Sequence, residues 1–430
     1  MKRISIILSA FVLLAAMSAS ASEIRTLTMG RANTIVKDPG NIWEFPSTIN
    51  MYGDQAEASF SDNYNSNSEF WRFGVHYTFN ANNPFVLGVY VREENAFNPY
   101  QYFSYNRPFD DFFDATSSTQ GGSGSLYKNQ MFDVFYGRTM NGNPFAAHVS
   151  IYNSSLHYEN AGTTPAQNDK EGLTAFGVVL GLTTGGGTAD WAVGARVTSF
   201  TDEDDGVAEF EKDAGIELWG EGRRWWTQNS KIAWVGHGMV GYSKFGVKDP
   251  VNPADASGYT SVERVKYFGV NVGLGLNYTP SSKVLATLDF GLNYMKWDWT
   301  YDESTTAPAA SLAYAEKDTD FSLPPYYRIG LDGEVLSWLD VRFGATNDRS
   351  HYVSEWSETY SASPTSNYAY KYTYNQSPSE TFFGLGFHWG DLELDTYVDP
   401  SFLVNGPYFV SGDDTNNMFW ETVATYYFGK

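Results

Sequence analysis

The feature that most limits this chain is a repeated run of about ten residues in which apolar and polar side chains alternate, each run ending in a turn. In residues 265–278, VKYFGVNVGLGLNY, every second position from Phe268 to Tyr278 is apolar, whereas asparagine and glycine stand between them. A period of two places the two sets on opposite faces of a β-strand. The runs therefore predict an all-β fold whose strands have one apolar and one polar face.

Sixteen such runs can be counted along the chain. They lie near residues 48–60, 70–80, 84–92, 127–138, 144–155, 172–184, 188–200, 211–222, 231–246, 262–278, 284–300, 324–335, 339–350, 380–389, 391–398 and 417–428. Their connections alternate between short, as at 139–143 and 279–283, and mostly long, as at 93–126 and 351–379. Short turns at one rim and long loops at the other are typical of outer-membrane barrels, in which the short side faces the periplasm.

We therefore predict an all-β, transmembrane, antiparallel up-and-down β-barrel of 14–16 strands with an N-terminal hatch segment, located in a Gram-negative outer membrane. Fourteen strands is the alternative if weak runs such as 48–60 do not form strands. A soluble sandwich or propeller is the rival fold. It predicts a single shared core and no regular alternation of loop length, and no blade-like repeat is present in the sequence.

The first residues predict secretion. Lys2 and Arg3 precede the apolar run ISIILSAFVLLAAM, and Ala19-Ser20-Ala21 follows as a small-x-small cleavage signal. An uncleaved anchor helix is the alternative, but about 14 apolar residues fall short of the ~20 that span a bilayer. The predicted organisation is a signal peptide over 1–21, a hatch or plug over 22–47 and the barrel over 48–430.

Composition agrees with a barrel and excludes some partners. Aromatic residues make up 17% of the chain, there are 40 glycines, and cysteine is absent, so backbone pairing and burial must hold the fold together. The formal net charge of −22 argues against nucleic acid as a partner. The chain ends in WETVATYYFGK, an aromatic-rich strand that resembles the terminal signal of outer-membrane proteins, followed by Gly429 and Lys430. We expect contacts with outer-membrane lipid, lipopolysaccharide and the barrel-assembly machinery.

If the apolar face of each strand meets lipid, the polar face lines the lumen. Both charge signs occur on that face, so we predict a polar interior in which acids and bases pair, wide enough for a channel or a plug. The predicted lumen-lining residues are Arg72, His76, Arg92, Asp133, His148, Arg196, Glu217, Asp289, Arg328, Asp332, Glu334, Asp340, Arg342, Glu393 and Asp395.

Signals for catalysis and for metal binding are poor. The six histidines form no HExxH motif, GxSxG is absent, and we predict no enzyme, no metal and no cofactor. The acidic stretch TDEDDGVAEFEK at 201–212 reads as a solvated loop, with a calcium site as the alternative. The long aromatic loop 93–126 could form a constriction, bind a ligand or cap the mouth.

One segment, NTIVKDPGNIWEFPSTIN at 33–50, fits neither the signal peptide nor a strand. Pro39 and Pro46 lack the donor that a sheet ladder needs, and each biases the residue before it toward extended backbone. Ile42, Trp43 and Phe45 nevertheless need a buried location. The barrel lumen is the nearest concave surface, so we predict that the segment plugs it; packing beneath the periplasmic rim is the alternative.

The stretch MGRANTIVKDPGNIWEFPSTINMY, residues 29–52, resembles the N-terminal region of the long-chain fatty-acid transporter (FadL-like) family and related barrels of Bacteroidetes-type bacteria. That resemblance implies a hatch folded into the barrel and transport of hydrophobic compounds or, in other branches, a role in secretion. The family's usual Asn-Pro-Ala is Phe45-Pro46-Ser47 in this chain. The matching positions are Met29, Gly30, Asp38, Asn41, Trp43 and Pro46, and we take Asp38, Asn41, Trp43, Phe45 and Pro46 as the hatch residues.

The function predicted from the sequence is an outer-membrane channel or transporter for a small-molecule permeant, with hydrophobic molecules favoured. The alternative is a non-transporting structural or secretion-linked barrel whose loops bind partners. The sequence does not distinguish an open pore from a plugged one, or a monomer from a trimer.

Overall fold

The computed structural model describes residues 21–63, 68–79, 84–94, 129–160, 167–204, 211–229, 231–249, 259–305, 312–321, 325–360, 368–398 and 419–428. The predicted signal peptide, nearly all of the loop 93–126, the centre of the acidic stretch 201–212 and the last two residues lie outside these ranges. The described chain begins with helix α1, Ala21–Thr28, and three short 3-10 helices, Ala32–Thr34, Pro39–Trp43 and Pro46–Asn50. The described residues after residue 50 form β-strands, turns and short connections.

Nineteen strand segments follow in one sheet. They are β1 Gln55–Asn63, β2 Ser68–Phe79, β3 Phe85–Glu94, β4 Asn129–Met140, β5 Asn143–Asn160, β6 Gln167–Thr184, β7 Ala189–Asp204, β8 Glu211–Asn229, β9 Ile232–Asp249, β10 Tyr259–Ser281, β11 Val284–Thr305, β12 Leu312–Phe321, β13 Tyr326–Leu336, β14 Leu339–Asn347, β15 Ser350–Tyr360, β16 Tyr368–Gln376, β17 Ser379–Trp389, β18 Leu392–Val398 and β19 Phe419–Tyr427.

The nineteen segments make sixteen barrel strands. Strand β11 pairs with β13 along its first half and with β12 along its second, so β12 and β13 are two parts of one strand. The same holds for β14 with β15 and for β16 with β17. All pairings are antiparallel between chain neighbours, and β1 pairs with β19 to close the ring. The predicted antiparallel barrel is therefore confirmed. It has sixteen strands, the number of runs counted in the sequence, rather than the alternative of fourteen.

Short turns gather at one rim, which we call the turn rim. They include Asn141-Gly142, both at positive φ as a two-residue hairpin requires, and Gly390 at φ 65°. The two ends of the wall meet at this rim, where the Phe428 N–H donates to the Asp54 carbonyl oxygen at 2.9 Å. The opposite end of the barrel, which we call the loop rim, carries the connections that were expected to be long.

Two parts of the sequence prediction differ from the structure. The first strand does not start at residue 48, because Pro46 opens a 3-10 helix and the Thr48 hydroxyl donates to the Phe45 carbonyl oxygen; β1 begins at Gln55. Several expected long loops are largely strand, since paired strands continue past the apolar wall; β15 and β16, for example, fill much of 351–379. Backbone pairing there persists without the apolar outer face that marked the runs.

The two faces of the wall are chemically opposite. Large apolar side chains are exposed on the outer face, such as Val193 and Val197 on β7, with 58% and 52% of their surface accessible. The positions between them point inward and carry charge, as Arg196 does on the same strand. An apolar exterior around a charged interior is the arrangement that a lipid bilayer stabilises and that water would not. The barrel is therefore an outer-membrane barrel by its construction.

Candidate functional site

The N-terminal segment lies inside the barrel. Residues 24–50, which we call the hatch, run from helix α1 through the three 3-10 helices and pack against the inner face of the wall. The Asp38 side chain caps the second 3-10 helix by accepting from the Gly40 N–H, and Pro39 occupies its first position. The prolines that keep this segment out of the sheet thus start its short helices.

Apolar side chains of the hatch insert into separate sectors of the wall. Ile24 packs against Phe382 and Val423, at the seam where the barrel closes. Ile35 and Val36 pack against Val235 on the opposite side. Contacts of this kind occur on several sides, so the hatch crosses the lumen rather than lining one strand. Further wall partners of the hatch are Val86, Tyr90, Phe135, Ala146, Val179 and Ala192.

Trp43 lies in the lumen, among aromatic rings and cations of the wall. Its ring meets those of Tyr90 and Phe135 edge to face, with centroids 5.0 and 5.1 Å apart. The guanidinium groups of Arg72 and Arg92 lie 5.0 and 4.6 Å from the same ring. Edge-to-face pairs and cation–π contacts each stabilise such a position by roughly 0.5–1.5 kcal/mol. The tryptophan that has no place in a strand therefore anchors the hatch to β2, β3 and β4.

Arg223 of β8 holds the middle of the hatch. Its side chain is fully buried and donates to the carbonyl oxygens of Asn33 and Val36 at 2.7 and 3.2 Å, and to Asn41 Oδ1 at 2.8 Å. On the wall it pairs with Asp190 of β7 at 3.0 Å. The guanidinium also lies 4.3 Å from the Phe45 ring centroid. One side chain thus satisfies three acceptors of the hatch.

A second ionic connection joins α1 to the other side of the barrel. Arg25 donates to Asp38 of the hatch at 3.2 Å and to Asp332 of β13 at 2.9 Å. Asp332 in turn accepts from Arg342, which also pairs with Asp395 at 2.5 Å. Alternating charges therefore run from the hatch into β13, β14 and β18. This arrangement compensates the charge of each buried group.

Burial changes the proton affinity of the hatch charges. Desolvation raises the pKa of Asp38 to about 6 from its ordinary 3.8, although the neighbouring Arg25 guanidinium opposes the change. Burial lowers the pKa of Arg25, but Asp38 and Asp332 outweigh it and hold that pKa above its ordinary value. Burial lowers the pKa of the Lys37 ammonium. The pKa of the Asp38 carboxyl therefore lies close to neutral pH while this residue is buried in the hatch.

Glycines of the wall provide the room for the hatch backbone. A Cβ added to Gly344 would overlap the Gly30 nitrogen and the Met29 carbonyl carbon, and one added to Gly330 would overlap the Met29 oxygen. Gly30 itself has φ +73° and lies against the backbone of β13 and β14. Close approach of two backbones requires glycine. Other wall glycines in contact with the hatch are Gly137, Gly181, Gly275 and Gly384.

The lumen-lining residues expected from the sequence point inward and mostly pair with one another. Arg92 and His148 share Asp133, at 2.7 and 2.8 Å. The side chain of His388 lies 2.8 Å from Asp340. Further contacts that join expected residues to each other or to a new partner are Arg72–Glu57, His76–Tyr90, Arg196–Glu217, Asp289–His237, Arg328–Asp348, Glu334–Lys283 and Glu393–Tyr427.

Sequence reasoning missed the residues that hold the hatch most firmly. Arg223 was available from the alternation, because it falls on the same face as Glu217, six residues earlier in β8. The consecutive Trp225 and Trp226 interrupt the alternation of apolar and polar residues at this end of β8, so the inward position of Arg223 was not recognised. Arg25 lies outside the strands, and nothing in the sequence indicates that it meets Asp332. The alternation indicates glycines on the inward face, but it does not indicate that the hatch backbone packs against a glycine such as Gly344.

Among the described residues, no group of three or more His, Cys, Asp or Glu side chains is arranged to hold a metal ion. No helix in the described part of the chain is long and apolar enough to span a membrane.

Comparison with known proteins gives structural neighbours only. No family model matches the chain, and neither does any curated protein. Among solved structures, the ferric-catecholate import receptor Fiu from E. coli K12 is 8% identical, with 87% of this chain and 81% of that chain covered and a TM-score of 0.32. The alcaligin outer-membrane receptor FauA from Bordetella pertussis is 8% identical over 80% and 68%, with a TM-score of 0.37.

CdiB from Escherichia coli is 8% identical over 86% of this chain and 62% of that chain, with a TM-score of 0.39. None of these three structures is named as a fatty-acid transporter, and identities and scores of this size assign the chain to no family. The closed ring of sixteen strands, apolar outside and charged inside, makes this chain an outer-membrane β-barrel.

Proposed function

We propose that the protein is an outer-membrane channel or transporter for small molecules, in which the hatch closes the lumen and must move for the permeant to pass. The observation that carries this proposal is the hatch itself. It crosses the lumen, and it joins the wall covalently where the chain continues into β1. A wall of sixteen strands is wide enough to need such a filling if it is not to leak. The wall strands do not need the hatch for their own backbone pairing.

The contacts of the hatch suit a removable plug. Arg223 of the wall donates to the hatch backbone and to Asn41, and Arg25 of the hatch pairs with Asp332 of the wall. Water can replace such contacts when the hatch moves, and the apolar contacts of the hatch are divided among several small clusters rather than one large core. The proposal treats residues 22–47, the plug predicted from the sequence and most of the hatch, as a functional unit distinct from the barrel. Asp38, Asn41, Trp43, Phe45 and Pro46 are the residues proposed to hold it in place.

Hydrophobic permeants are favoured within this proposal by a patch of the inner wall. Met239 and Tyr267 are buried inside the barrel, with Trp219 and Met295 packed against them. Methionine and aromatic side chains adapt to apolar ligands of varied shape. This patch adds to the resemblance with the long-chain fatty-acid transporter family, which is carried by residues 29–52 alone. Outer-membrane lipid and lipopolysaccharide are the proposed surroundings of the outer face, and barrel-assembly machinery the proposed insertion partner.

A reversible lock tests the proposal. The hydroxyls of Ser47 in the hatch and Thr183 in β6 lie 2.9 Å apart, and the chain has no cysteine of its own. Ser47→Cys with Thr183→Cys should form a disulfide under oxidation. We expect liposome swelling or planar-bilayer conductance to be suppressed when the pair is oxidised and restored by reductant, while each single-cysteine variant ignores the redox state.

Deletion of residues 22–46 provides the complementary measurement. We expect it to raise conductance well above that of the full chain, with heat-modifiable gel migration showing that the barrel is intact. If neither the full chain nor the deletion variant passes any solute, the protein is not a channel, and the structural or secretion-linked barrel becomes the better description.

A further inference from the structure

Near the loop rim, the wall carries two adjacent breaks and then continues. The chain leaves the strand conformation at 348–349, between β14 and β15, and at 377–378, between β16 and β17. The Asp348 N–H donates to the Pro378 carbonyl oxygen, and the Asn347 amide donates to Ser377 and Ser379. The breaks are therefore bonded to each other, and β15 and β16 rise beyond them as a pair.

Below the breaks, the wall has the usual polarity of a membrane barrel. Ile329 and Leu331 of β13 are exposed on the outer face, as is Phe343 of β14. Asp332 and Arg342 pair on the inner face. Above the breaks, the outer face is charged instead, since Lys371 of β16 and Glu355 of β15 pair across it while both remain more than half exposed. That outer surface belongs in water rather than lipid.

The inner face changes in the opposite sense. Met295 of β11 pairs with Asp320 of β12, and Asp320 pairs with Tyr352 of β15. Tyr352 in turn pairs with Tyr374 of β16. Directly opposed residues share a face of a sheet. Met295 packs inside the barrel against Met239 and Tyr267, so Tyr352 and Tyr374 also face inward. The polarity of β15 and β16 is thus inverted above the breaks.

The inward surface of β15 and β16 is a strip of aromatic rings, which we call the tyrosine face. Its rings contact one another, with centroids 4.7 Å apart for Tyr352–Tyr374, 4.8 Å for Trp356–Tyr370 and 5.0 Å for Tyr370–Tyr372. The tyrosines of β16 remain between 42% and 58% exposed. The members of the tyrosine face are Tyr352, Trp356, Tyr368, Tyr370, Tyr372 and Tyr374, with Ser354 and Glu358 between them in register.

This chemistry selects among ligands. A compact apolar molecule binds best in a concave pocket that buries most of its surface, and an open strip of rings buries only one side. Glu358 lies on the same face by register, which disfavours an anionic ligand. Rings that end in hydroxyls match an extended ligand with apolar faces and hydrogen-bonding edges. Pyranose rings linked in a chain have that form.

We propose that the tyrosine face binds a neutral, soluble oligosaccharide at the mouth of the barrel. Sugar rings would stack on the exposed tyrosines, and their hydroxyl groups would bond to the tyrosine hydroxyls and to Glu358. The saccharide of lipopolysaccharide is a different source of the same chemistry. It lies around the outer face of a barrel, whereas the tyrosine face is directed inward, so the proposal is restricted to dissolved oligosaccharide. The described hatch contacts lie on other strand segments, so binding here is measured independently of flux.

The test uses the full-length protein in detergent, with maltoheptaose and cellohexaose as probes in saturation-transfer NMR and calorimetric titrations. We expect one of these glucans to bind with a Kd below about 10 mM. Tyr370→Ala with Tyr372→Ala should weaken binding about tenfold or more, because two stacking rings are lost. Tyr370→Phe with Tyr372→Phe keeps the rings and removes two hydroxyls, so it should weaken binding less than the double alanine variant does.

Tyr327→Ala serves as the matched control, because Tyr327 is an exposed tyrosine of the outer face. It should leave binding unchanged, and heat-modifiable migration should show each variant folded. Any of three results overturns the proposal: neither glucan binds at about 10 mM, the double alanine variant binds as tightly as the parent, or only lipopolysaccharide is retained. Loss of flux with glucan binding intact would count against the channel proposal and leave this one standing.

Discussion

Replacing Arg223 by methionine should release the hatch while leaving the barrel closed. Methionine keeps most of the side chain's apolar length and removes the guanidinium. The hatch then loses three hydrogen bonds, to the backbone of Asn33 and Val36 and to the Asn41 side chain. Hydrogen bonds from a charged donor contribute roughly 1.5–3 kcal/mol each, and part of this returns when water solvates the released acceptors.

We therefore expect seating of the hatch to weaken by about 4 kcal/mol, which raises the open fraction by about 1,000-fold. The loss of Asp190's partner must be separated from this value, because a buried carboxylate without its cation destabilises a fold by about 3–5 kcal/mol. Asp190→Asn in the same background removes that charge. The double variant Arg223→Met with Asp190→Asn then reports the hatch contacts alone.

Cysteine labelling measures the open fraction. Thr34 is a suitable reporter position, because it is buried in the hatch and its hydroxyl has no hydrogen-bond partner among the described residues. In a Thr34→Cys background, the labelling rate is proportional to the population in which the hatch has left its seat. Arg224→Met is the matched control, since that neighbouring arginine is exposed on the outside of the barrel. A parent-like labelling rate in the double variant would refute the assignment of Arg223 as the main hatch contact.

Three further changes test the seat. Gly344→Val should force the hatch away from β14 by overlap with Gly30, and conductance should rise; unchanged conductance would contradict the close approach. Trp43→Ala should weaken seating by about 3 kcal/mol, read by the labelling assay, while Trp191→Ala on the outer face should not. The pKa of Asp38 in the seated hatch is raised from 3.8 to about 6. Between these two pH values, the carboxyl keeps a proton in the seated hatch that it would lose in a released hatch. Seating should thus weaken by about 3 kcal/mol as pH rises from about 4 to 6; conductance should be lower at low pH, and Asp38→Asn should remove this dependence.

The wall could be predicted from the sequence because alternation is a local property. Each strand pair is adjacent in the chain, so turn chemistry such as Asn141-Gly142 and the period of two determine most of it. The strand limits were less accessible. Where β15 and β16 leave the membrane band, their polarity inverts, and a rule that expects apolar residues outside reads them as loop.

The seat of the hatch shows where sequence reasoning stops. Pro39, Pro46 and the apolar residues between them indicate a buried segment outside the sheet, and its place in the lumen follows from the nearest available cavity. Which wall residues receive it does not follow. Arg25 and Asp332 are separated by 307 positions in the chain and Asn33 and Arg223 by 190, and such contacts depend on the closed ring rather than on any local pattern.

The seam between β1 and β19 also orders assembly in time. Those strands are the first and last of the wall, and seven residue pairs join them, from Gln55 with Tyr427 to Ser61 with Glu421. The hatch precedes β1 and is enclosed by the ring that this seam completes. A segment bonded to many sectors of the barrel is placed most simply before the barrel closes. The hatch, which precedes β1, is therefore enclosed only when β19, the last strand, pairs with β1. Folding intermediates should therefore hold the hatch against a curved, unfinished sheet, and seam closure should be the step that commits the molecule.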